Sequence, residues 1–201
     1  MIIIGLCGNS GSGKGTVCKS FLKYGIPSVD ADLVYRELTS SDSPLLNELA
    51  QKFGNEILNS DGSFNRKALA NIVFSDKSGK LLSDLNKITH SRVIAEAEKR
   101  MDKFREEGKK AVIFDAPLLF ESGFDKKCDI LIAVTASKEE KIRRIIQRDG
   151  IDYETAEKRL NSQYSEEFLK SNADYVIDNI GDTSDIEFSV KKIINNIFCE
   201  V

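Results

Sequence analysis

The residues with the clearest chemical meaning form a glycine-rich loop near the amino terminus, Gly8–Thr16, with the sequence GNSGSGKGT. Glycines allow a backbone to curl so that successive N–H groups point at phosphate oxygens, and a lysine adds a positive charge. The loop lies between the apolar run Ile2–Cys7 and a helical pattern, and the positive end of a helix also favours phosphate. This P-loop pattern predicts a binding site for a nucleoside triphosphate, made by Gly11, Ser12, Gly13, Lys14, Gly15 and Thr16.

The P-loop departs from the usual pattern at the position of its metal ligand. Gly15 stands where serine or threonine normally binds Mg²⁺, and Thr16 comes one residue later, an arrangement that resembles the loop of adenylate kinases. Asp115 follows the apolar run Ala111–Phe114, and a carboxylate after such a strand is typical of a magnesium site. The alternative is an aspartate that caps the turn before Pro117. We predict Mg²⁺ bound mainly through phosphates and water, with Thr16 and Asp115 as its protein ligands.

Two aspartates follow a second short strand pattern, Ile26–Val29. Residues two apart in an extended segment share a face, so Asp30 and Asp32 are expected to leave the strand on the same side. Ligands of open α/β sheets bind outside the carboxyl ends of the strands, where the P-loop also begins. One of these aspartates is therefore a candidate general base for an attacking hydroxyl. The alternative is that it caps the helix predicted at Leu33–Leu38.

Basic side chains follow one face of a helix that is predicted to begin after the capping box Ser137–Glu140. Lys141, Arg144 and Arg148 are three and four residues apart in turn, so they share a helical face. Such a stripe could close over a triphosphate and neutralise the charge that develops during transfer, and Arg159 on the next helix could join it. The alternative is a solvated helix face.

Short apolar runs alternate with longer helical patterns along the chain. Runs without polar alternation are typical of strands buried on both faces, as in parallel sheets covered by helices. Strand–helix–strand order predicts an α/β fold with right-handed crossovers. From about Pro44 to Arg105 the pattern is helical throughout, which predicts a helical insertion. Beside Ile26–Val29, the predicted strands are Ile2–Cys7, Ala111–Phe114, Ile130–Val134 and Tyr175–Ile177.

Composition narrows the class of protein. The 201 residues carry a net charge of −3, whereas nucleic-acid-binding proteins usually have a large basic excess, so no nucleic-acid partner is expected. No apolar run approaches the ~20 residues of a membrane span, and the amino terminus lacks the features of a signal peptide. The four cysteines, Cys7, Cys18, Cys128 and Cys199, are scattered, which is typical of reduced packing residues. We expect a cytoplasmic protein that is a monomer by default.

Several longer segments carry a family resemblance that covers nearly the whole chain. They are Gly5–Gly8 with Gly11–Lys14, Asp30–Asp32, Asp61–Arg66, Ala70–Phe74, Ile88–His90, Ala116–Glu121, Gln147–Asp149 and Ala173–Asn179. In this order they resemble the dephospho-CoA kinase family. Three positions depart from that family's pattern: Gly15 replaces a serine, Ser91 replaces a proline, and Ser165–Phe168 lacks a lysine. The first departure concerns metal binding, and the other two concern the acceptor domain and the lid.

The resemblance implies a P-loop kinase core with a parallel five-stranded sheet flanked by helices, a helical substrate-binding insertion and a helical lid. It implies a core of residues 1–34, 106–136 and 172–201, an acceptor (CoA) domain of 35–105, and a lid of 137–171. The implied reaction is the ATP-dependent phosphorylation of the 3′-hydroxyl of dephospho-CoA, the last step of coenzyme A synthesis. The resemblance makes Asp32 the general base and Lys14 and Arg144 catalytic, places Arg144 and Arg148 on ATP phosphates, and places Arg66 and His90 on the acceptor side.

His90 is the only histidine of the chain. The alternative to a role in the site is a structural one, because a lone histidine is often a structural residue. Two rival functions remain open. One is a kinase of the same core that phosphorylates a nucleoside monophosphate, which the Gly-Lys-Gly-Thr loop favours. The other is a GTP-dependent switch protein, but Asn86–Thr89 lacks the aspartate of the guanine-binding motif.

Overall fold

A computed structural model describes residues 1–179 and 182–199, with side chains described up to residue 198. Cys199 therefore contributes only its backbone, and its predicted packing role lies outside the described side chains. The chain divides into two compact units. The first unit comprises Met1–Val29 and Met101–Val201, and the second unit comprises Asp30–Arg100.

A single five-stranded sheet organises the first unit. Its strand order is β2-β3-β1-β4-β5, and β1 pairs in parallel with both β3 and β4, as β4 does with β5. The predicted parallel five-stranded sheet is confirmed. The strands are β1 (Ile2–Cys7), β2 (Ser28–Asp30), β3 (Ala111–Asp115), β4 (Ile130–Thr135) and β5 (Tyr175–Asp178).

Helices connect the strands and form most of the second unit. The described residues contain the α-helices α1 (Lys14–Leu22), α2 (Ala31–Leu38), α3 (Pro44–Phe53), α4 (Arg66–Ser75), α5 (Lys80–Glu106), α6 (Lys138–Asp149), α7 (Tyr153–Asn161), α8 (Glu166–Ser171) and α9 (Thr183–Cys199). Two 3₁₀-helices span Asn55–Ile57 and Phe124–Lys127. No helix among the described residues has the length and apolar character that a membrane span requires.

The apolar core of the first unit lies on both faces of its sheet. Ile4, Leu6, Ile113, Ile132 and Val134 are almost completely buried between the helices that cover the sheet. Their runs lack polar alternation because both faces of the sheet are covered. The parallel register places the carboxyl ends of β1, β3 and β4 side by side, with Leu6 opposite both Asp115 and Ile132. Loops that leave these strands start from one rigid edge.

The second unit has its own apolar core, built mainly by α3, α4 and the 3₁₀-helix between them. Ser43 caps α3 by accepting a hydrogen bond from the N–H of Leu46 at 3.2 Å, and Pro44 occupies the first helical position. Asn65 caps α4 in the same way through the N–H of Ala68 at 3.0 Å. Such caps satisfy amides that a helix start would otherwise leave unpaired.

The start of α2 corrects one expectation from the sequence. The extended segment was predicted to continue through Asp32, but the helix begins at Ala31, and the carboxylate of Asp30 accepts a hydrogen bond from the N–H of Leu33 at 3.0 Å. Asp30 is therefore the helix cap, and Asp32 lies in the first helical turn. The two carboxylates do not share the face of a strand, because the cap ends the extended conformation at residue 30.

Candidate active site

The P-loop joins β1 to α1 within the first unit and approaches its neighbours too closely for ordinary side chains. Gly11 has a φ of 79°, and a Cβ atom there would lie 2.5 Å from the carbonyl oxygen of Lys141. Gly13 has a φ of 97°, and its Cβ atom would lie 2.0 Å from Nδ2 of Asn179. Gly15 differs, because apart from its chain neighbours and the backbone of its own helix no atom lies within 4 Å of its Cβ position. Gly11 and Gly13 are thus required by geometry, whereas Gly15 is not.

Two side chains donate hydrogen bonds to carbonyl groups of the P-loop: one from the loop itself, and one from the residue that follows β5. The Lys14 ammonium donates to the carbonyl of Gly8 at 2.9 Å, which folds the side chain back over the loop. The buried amide of Asn179 donates to the carbonyl of Ser12 at 2.7 Å. The C=O and N–H of a planar trans peptide point in opposite directions. The N–H of Gly13 therefore points away from Asn179, and Asn179 fixes the orientation of one donor in the loop.

The two arginines predicted on ATP phosphates both contact the P-loop. Nη1 of Arg144 donates to the carbonyls of Gly11 and Ser12 at 3.1 and 3.3 Å, and its Nε donates to Glu140 at 2.7 Å. Nη2 of Arg148 donates to the hydroxyl of Ser10 at 3.2 Å. The face of α6 that carries both arginines therefore lies against the loop.

The charges on α6 are compensated locally. Hydrogen bonds from Arg143, together with those from Arg144, lower the pKa of Glu140 to about 2, so this carboxylate is ionised at neutral pH. Lys141 differs from the rest of the basic stripe, because it is buried and forms an ion pair with Glu166 of α8. The alternative of a solvated helix face is therefore wrong for Lys141, whose ammonium joins α6 to α8.

Both candidate metal ligands belong to the first unit. Asp115 ends β3 beside Leu6 of β1, and its Oδ2 accepts a hydrogen bond from the thiol of Cys18 at 3.7 Å. Burial raises the pKa of Cys18, and the charge of Asp115 raises it further, so the thiol keeps its proton. Thr16 lies in the first turn of α1, where its N–H donates to the carbonyl of Gly13 at 2.9 Å.

The second unit contains the other predicted site residues. A mainly apolar cavity of about 150 Å³ lies beside Arg66, whose guanidinium is 5.4 Å from the centre of the Phe64 ring and donates to Thr39 at 3.4 Å. Burial lowers the pKa of His90, a half-buried residue on α5. The cavity is lined by Tyr35, Phe64, Arg66, Leu69, Ala70, Val73, Phe74, Leu82 and Leu85.

Comparison with known proteins assigns the chain to a family. The family model described as "Dephospho-CoA kinase" matches residues 2–185. A dephospho-CoA kinase of Corynebacterium glutamicum is 36% identical over 201 residues, which is all of both chains. One of Fusobacterium nucleatum is 40% identical over 200 residues, covering 100% of this chain and 98% of the relative. The chain belongs to the dephospho-CoA kinase family.

Solved structures agree with this assignment. TT1252 from Thermus thermophilus has 31% sequence identity and a TM-score of 0.82, and the match covers 98% of this chain and 97% of that one. A dephospho-CoA kinase from Campylobacter jejuni has 28% identity and a TM-score of 0.68, with 97% and 96% covered. A shikimate kinase from Acinetobacter baumannii, at 16% identity and a TM-score of 0.53, shares only the fold. Members of the dephospho-CoA kinase family are kinases with ATP as phosphate donor, which identifies the class of reaction.

Two residues at the P-loop of this family member were not assigned roles from the sequence, Asn179 and Gln163. Asn179 immediately follows β5, and the rule that ligands bind at the carboxyl ends of parallel strands could have identified it. Gln163, whose Oε1 accepts a hydrogen bond from the N–H of Ser10 at 2.9 Å, lies between α7 and α8. No periodic or motif signal marks that position.

Proposed function

We propose that the chain transfers the γ-phosphate of ATP to the 3′-hydroxyl of dephospho-CoA and produces coenzyme A and ADP. The observation that carries the proposal is the P-loop between β1 and α1, with Arg144 and Arg148 of α6 placed against it. This arrangement presents backbone amides and three cationic side chains, including Lys14, to one triphosphate. Membership of the dephospho-CoA kinase family supports the choice of acceptor.

The acceptor hydroxyl must lose a proton as it attacks phosphorus. We assign this proton to the carboxylate of Asp32, the residue that the family resemblance makes the general base, whereas the carboxylate of Asp30 caps α2. The 3′-oxygen forms a bond to the γ-phosphorus, the bond from that phosphorus to the β,γ-bridging oxygen breaks, and ADP leaves with the electron pair. Little covalent chemistry is required of the protein, so positioning and charge stabilisation supply most of the rate enhancement.

Cationic side chains must stabilise the negative charge of the phosphoryl group while it is transferred. Lys14 is assigned to the β- and γ-phosphates, since its ammonium lies over the loop at Gly8. Arg144 and Arg148 are assigned to the triphosphate from the other side, as part of a lid formed by residues 137–171. A closed lid excludes water, and exclusion of water strengthens every electrostatic interaction inside the site.

Mg²⁺ suits the donor set of this chain. Among residues 1–179 and 182–199, no cluster of three or more His, Cys, Asp or Glu side chains could hold a metal ion by itself. Mg²⁺ often keeps several waters and is bound by one or two carboxylates together with substrate phosphates. We propose that Asp115 and Thr16 provide the protein oxygens. The ion would supply Lewis-acid stabilisation of the phosphates when bound.

The cavity of the second unit suits part of the acceptor. Dephospho-CoA combines a pyrophosphate with a long pantetheine arm, so its site needs a cation beside apolar surface. Arg66 and the apolar residues around it, such as Phe64 and Leu69, provide this combination. We propose that Arg66 binds a phosphate of the acceptor. We also propose that His90, which lies on the same unit, belongs to the acceptor site.

ADP release with Mg-ATP tests the function directly. We expect release to depend on dephospho-CoA, with product phosphorylated at the 3′ position and activity lost after removal of Mg²⁺ with EDTA. AMP, dTMP and a reaction without acceptor serve as controls. Release with AMP or dTMP would support a nucleoside monophosphate kinase instead. Release without an acceptor, and faster with GTP, would support a GTP-dependent switch.

Replacement of Arg66 tests the acceptor site. In Arg66→Met we expect the KM for dephospho-CoA to rise about 10- to 100-fold, the value of a hydrogen bond to a charged group. The KM for ATP should change by less than about twofold. Lys67→Met removes a neighbouring exposed charge on α4 and is the matched control. Equal increases of both KM values in Arg66→Met would contradict the assignment to the acceptor.

The remaining expectations concern the state of the protein in the cell. We propose that it acts in the cytoplasm as a monomer, without nucleic-acid or membrane partners. Cys7, Cys18 and Cys128 are free thiols, as is usual in reducing compartments. Burial raises the pKa of Cys7 to about 11, so its reactive thiolate is scarce at neutral pH.

A further inference from the structure

The connection between α7 and α8 contacts the start of the P-loop at two adjacent positions. The N–H of Ser10 donates to Oε1 of Gln163 at 2.9 Å, and Nδ2 of Asn9 donates to the carbonyl of Tyr164 at 3.1 Å. Because the donor at Ser10 is a backbone N–H, its partner must be the oxygen of the glutamine amide. Gln163 therefore uses its acceptor on the loop, while its two Nε2 protons have no partner among the described residues.

The peptide between Asn9 and Ser10 is held at both ends. Its N–H is bound by Gln163, and its C=O, which belongs to Asn9, accepts a hydrogen bond from the N–H of Ser12 at 3.0 Å. The two groups of a planar trans peptide point in opposite directions, so these two bonds fix the peptide plane. The turn that begins the phosphate cradle depends on this plane.

We infer that Gln163 is a positioning residue of the P-loop, and that its Oε1 atom holds the loop in the conformation that accepts the β- and γ-phosphates. The inference rests on the proposed binding of ATP at this loop. Without the acceptor, the peptide between Asn9 and Ser10 can rotate. Its carbonyl oxygen can then turn toward the phosphates, where it repels them.

Gln163 can serve this purpose because its own position is fixed by neighbouring contacts. Its N–H donates to the carbonyl of Leu160 at the end of α7, at 3.2 Å. The ring of Tyr164, the next residue, stacks on Phe168 of α8 with centroids 4.2 Å apart and planes 17° apart. The ion pair between Glu166 and the buried Lys141 joins the start of α8 to α6. These contacts hold the segment between α7 and α8 in place, and with it the side chain of Gln163 beside the loop.

Gln163→Leu removes the acceptor at nearly constant volume, and Gln163→Glu keeps an acceptor at the same distance. Gln51→Leu makes the same chemical change at an exposed position of α3 and is the matched control. Two readouts are needed: binding of ADP and of adenosine by calorimetry, and amide hydrogen exchange of Ser10 by NMR. Adenosine lacks the phosphates that the loop holds, so it reports on the rest of the nucleotide site.

In Gln163→Leu we expect ADP to bind about tenfold more weakly, adenosine to bind as before, and the Ser10 amide to exchange about tenfold faster, as for the loss of one hydrogen bond. Gln163→Glu should keep the protection of the Ser10 amide. Unchanged ADP affinity or unchanged Ser10 exchange in Gln163→Leu would overturn the inference, as would an equal loss of adenosine binding.

The wild-type chain provides a test that does not depend on a variant folding. Without nucleotide, its Ser10 amide should exchange at least about tenfold more slowly than that of Gly11, whose N–H has no hydrogen-bond partner among the described residues. Equal exchange rates would overturn the inference. Failure of the wild-type chain to bind ADP would instead contradict the proposed function, so the two failures can be distinguished.

Discussion

Asp32→Asn is expected to reduce turnover about 100- to 10,000-fold, the usual contribution of a general base. Asparagine has nearly the same shape but cannot accept the proton of the 3′-hydroxyl. ATP affinity should stay within about twofold, because the base contacts the acceptor and not the triphosphate. Single-turnover kinetics with dephospho-CoA, together with calorimetric titration of ATP, would measure the two quantities separately.

Asp30→Asn is the matched control for this experiment. Asparagine caps helices as well as aspartate does, so the hydrogen bond to the N–H of Leu33 can be kept and α2 should begin at the same residue. We expect most of the activity to remain. If Asp30→Asn lost turnover and Asp32→Asn kept it, the base would have to be reassigned to Asp30. Equal loss of turnover and ATP binding in Asp32→Asn would contradict a role as base.

Lys14→Met is expected to lower kcat/KM about 100- to 1,000-fold, the typical effect of removing one donor that stabilises transition-state charge. Its ammonium donates to the carbonyl of Gly8, and we place the same charge on the β- and γ-phosphates. ADP and ATP should both bind more weakly, whereas adenosine should not. Steady-state kinetics and calorimetry with the three ligands would check this result.

Lys19→Met is the matched control for Lys14→Met, because Lys19 is an exposed lysine of the same helix. We expect it to keep the wild-type kcat/KM and melting temperature. A Lys14→Met variant with normal kcat/KM would exclude Lys14 from phosphate binding. A fall in melting temperature that matched its loss of activity would point to a defect of the loop fold instead.

The sequence predicted those parts of the molecule whose signals are local. The run Ile2–Cys7 becomes β1 with the predicted bounds, since its apolar pattern reflects burial on both faces. Ser137 caps α6 as predicted, and the N–H of Glu140 donates to its hydroxyl at 3.2 Å. The P-loop was predictable for the same reason, because its glycines and lysine are contiguous.

Other features depend on contacts that no local pattern contains. Asn179 and Ser12 are 167 residues apart along the chain, yet the amide of one orients the carbonyl of the other. The choice of Asp30 over Asp32 as a cap depends on where one strand ends, and a pattern with period two cannot locate that end to a single residue. Lys141 resembled a solvated charge because its partner, Glu166, lies on another helix.

The glycines of the P-loop differ in how freely they can vary over evolutionary time. Any side chain at Gly11 or Gly13 meets a neighbouring atom, so these positions are fixed by the fold whatever nucleotide the loop binds. Gly15 lies in a helical turn with open space around it, and most residues favour a helix more than glycine does. A serine there would fit without rearrangement and would bring a hydroxyl to the proposed Mg²⁺ site. A single substitution at Gly15 would therefore give this loop the hydroxyl that P-loops normally use to bind Mg²⁺.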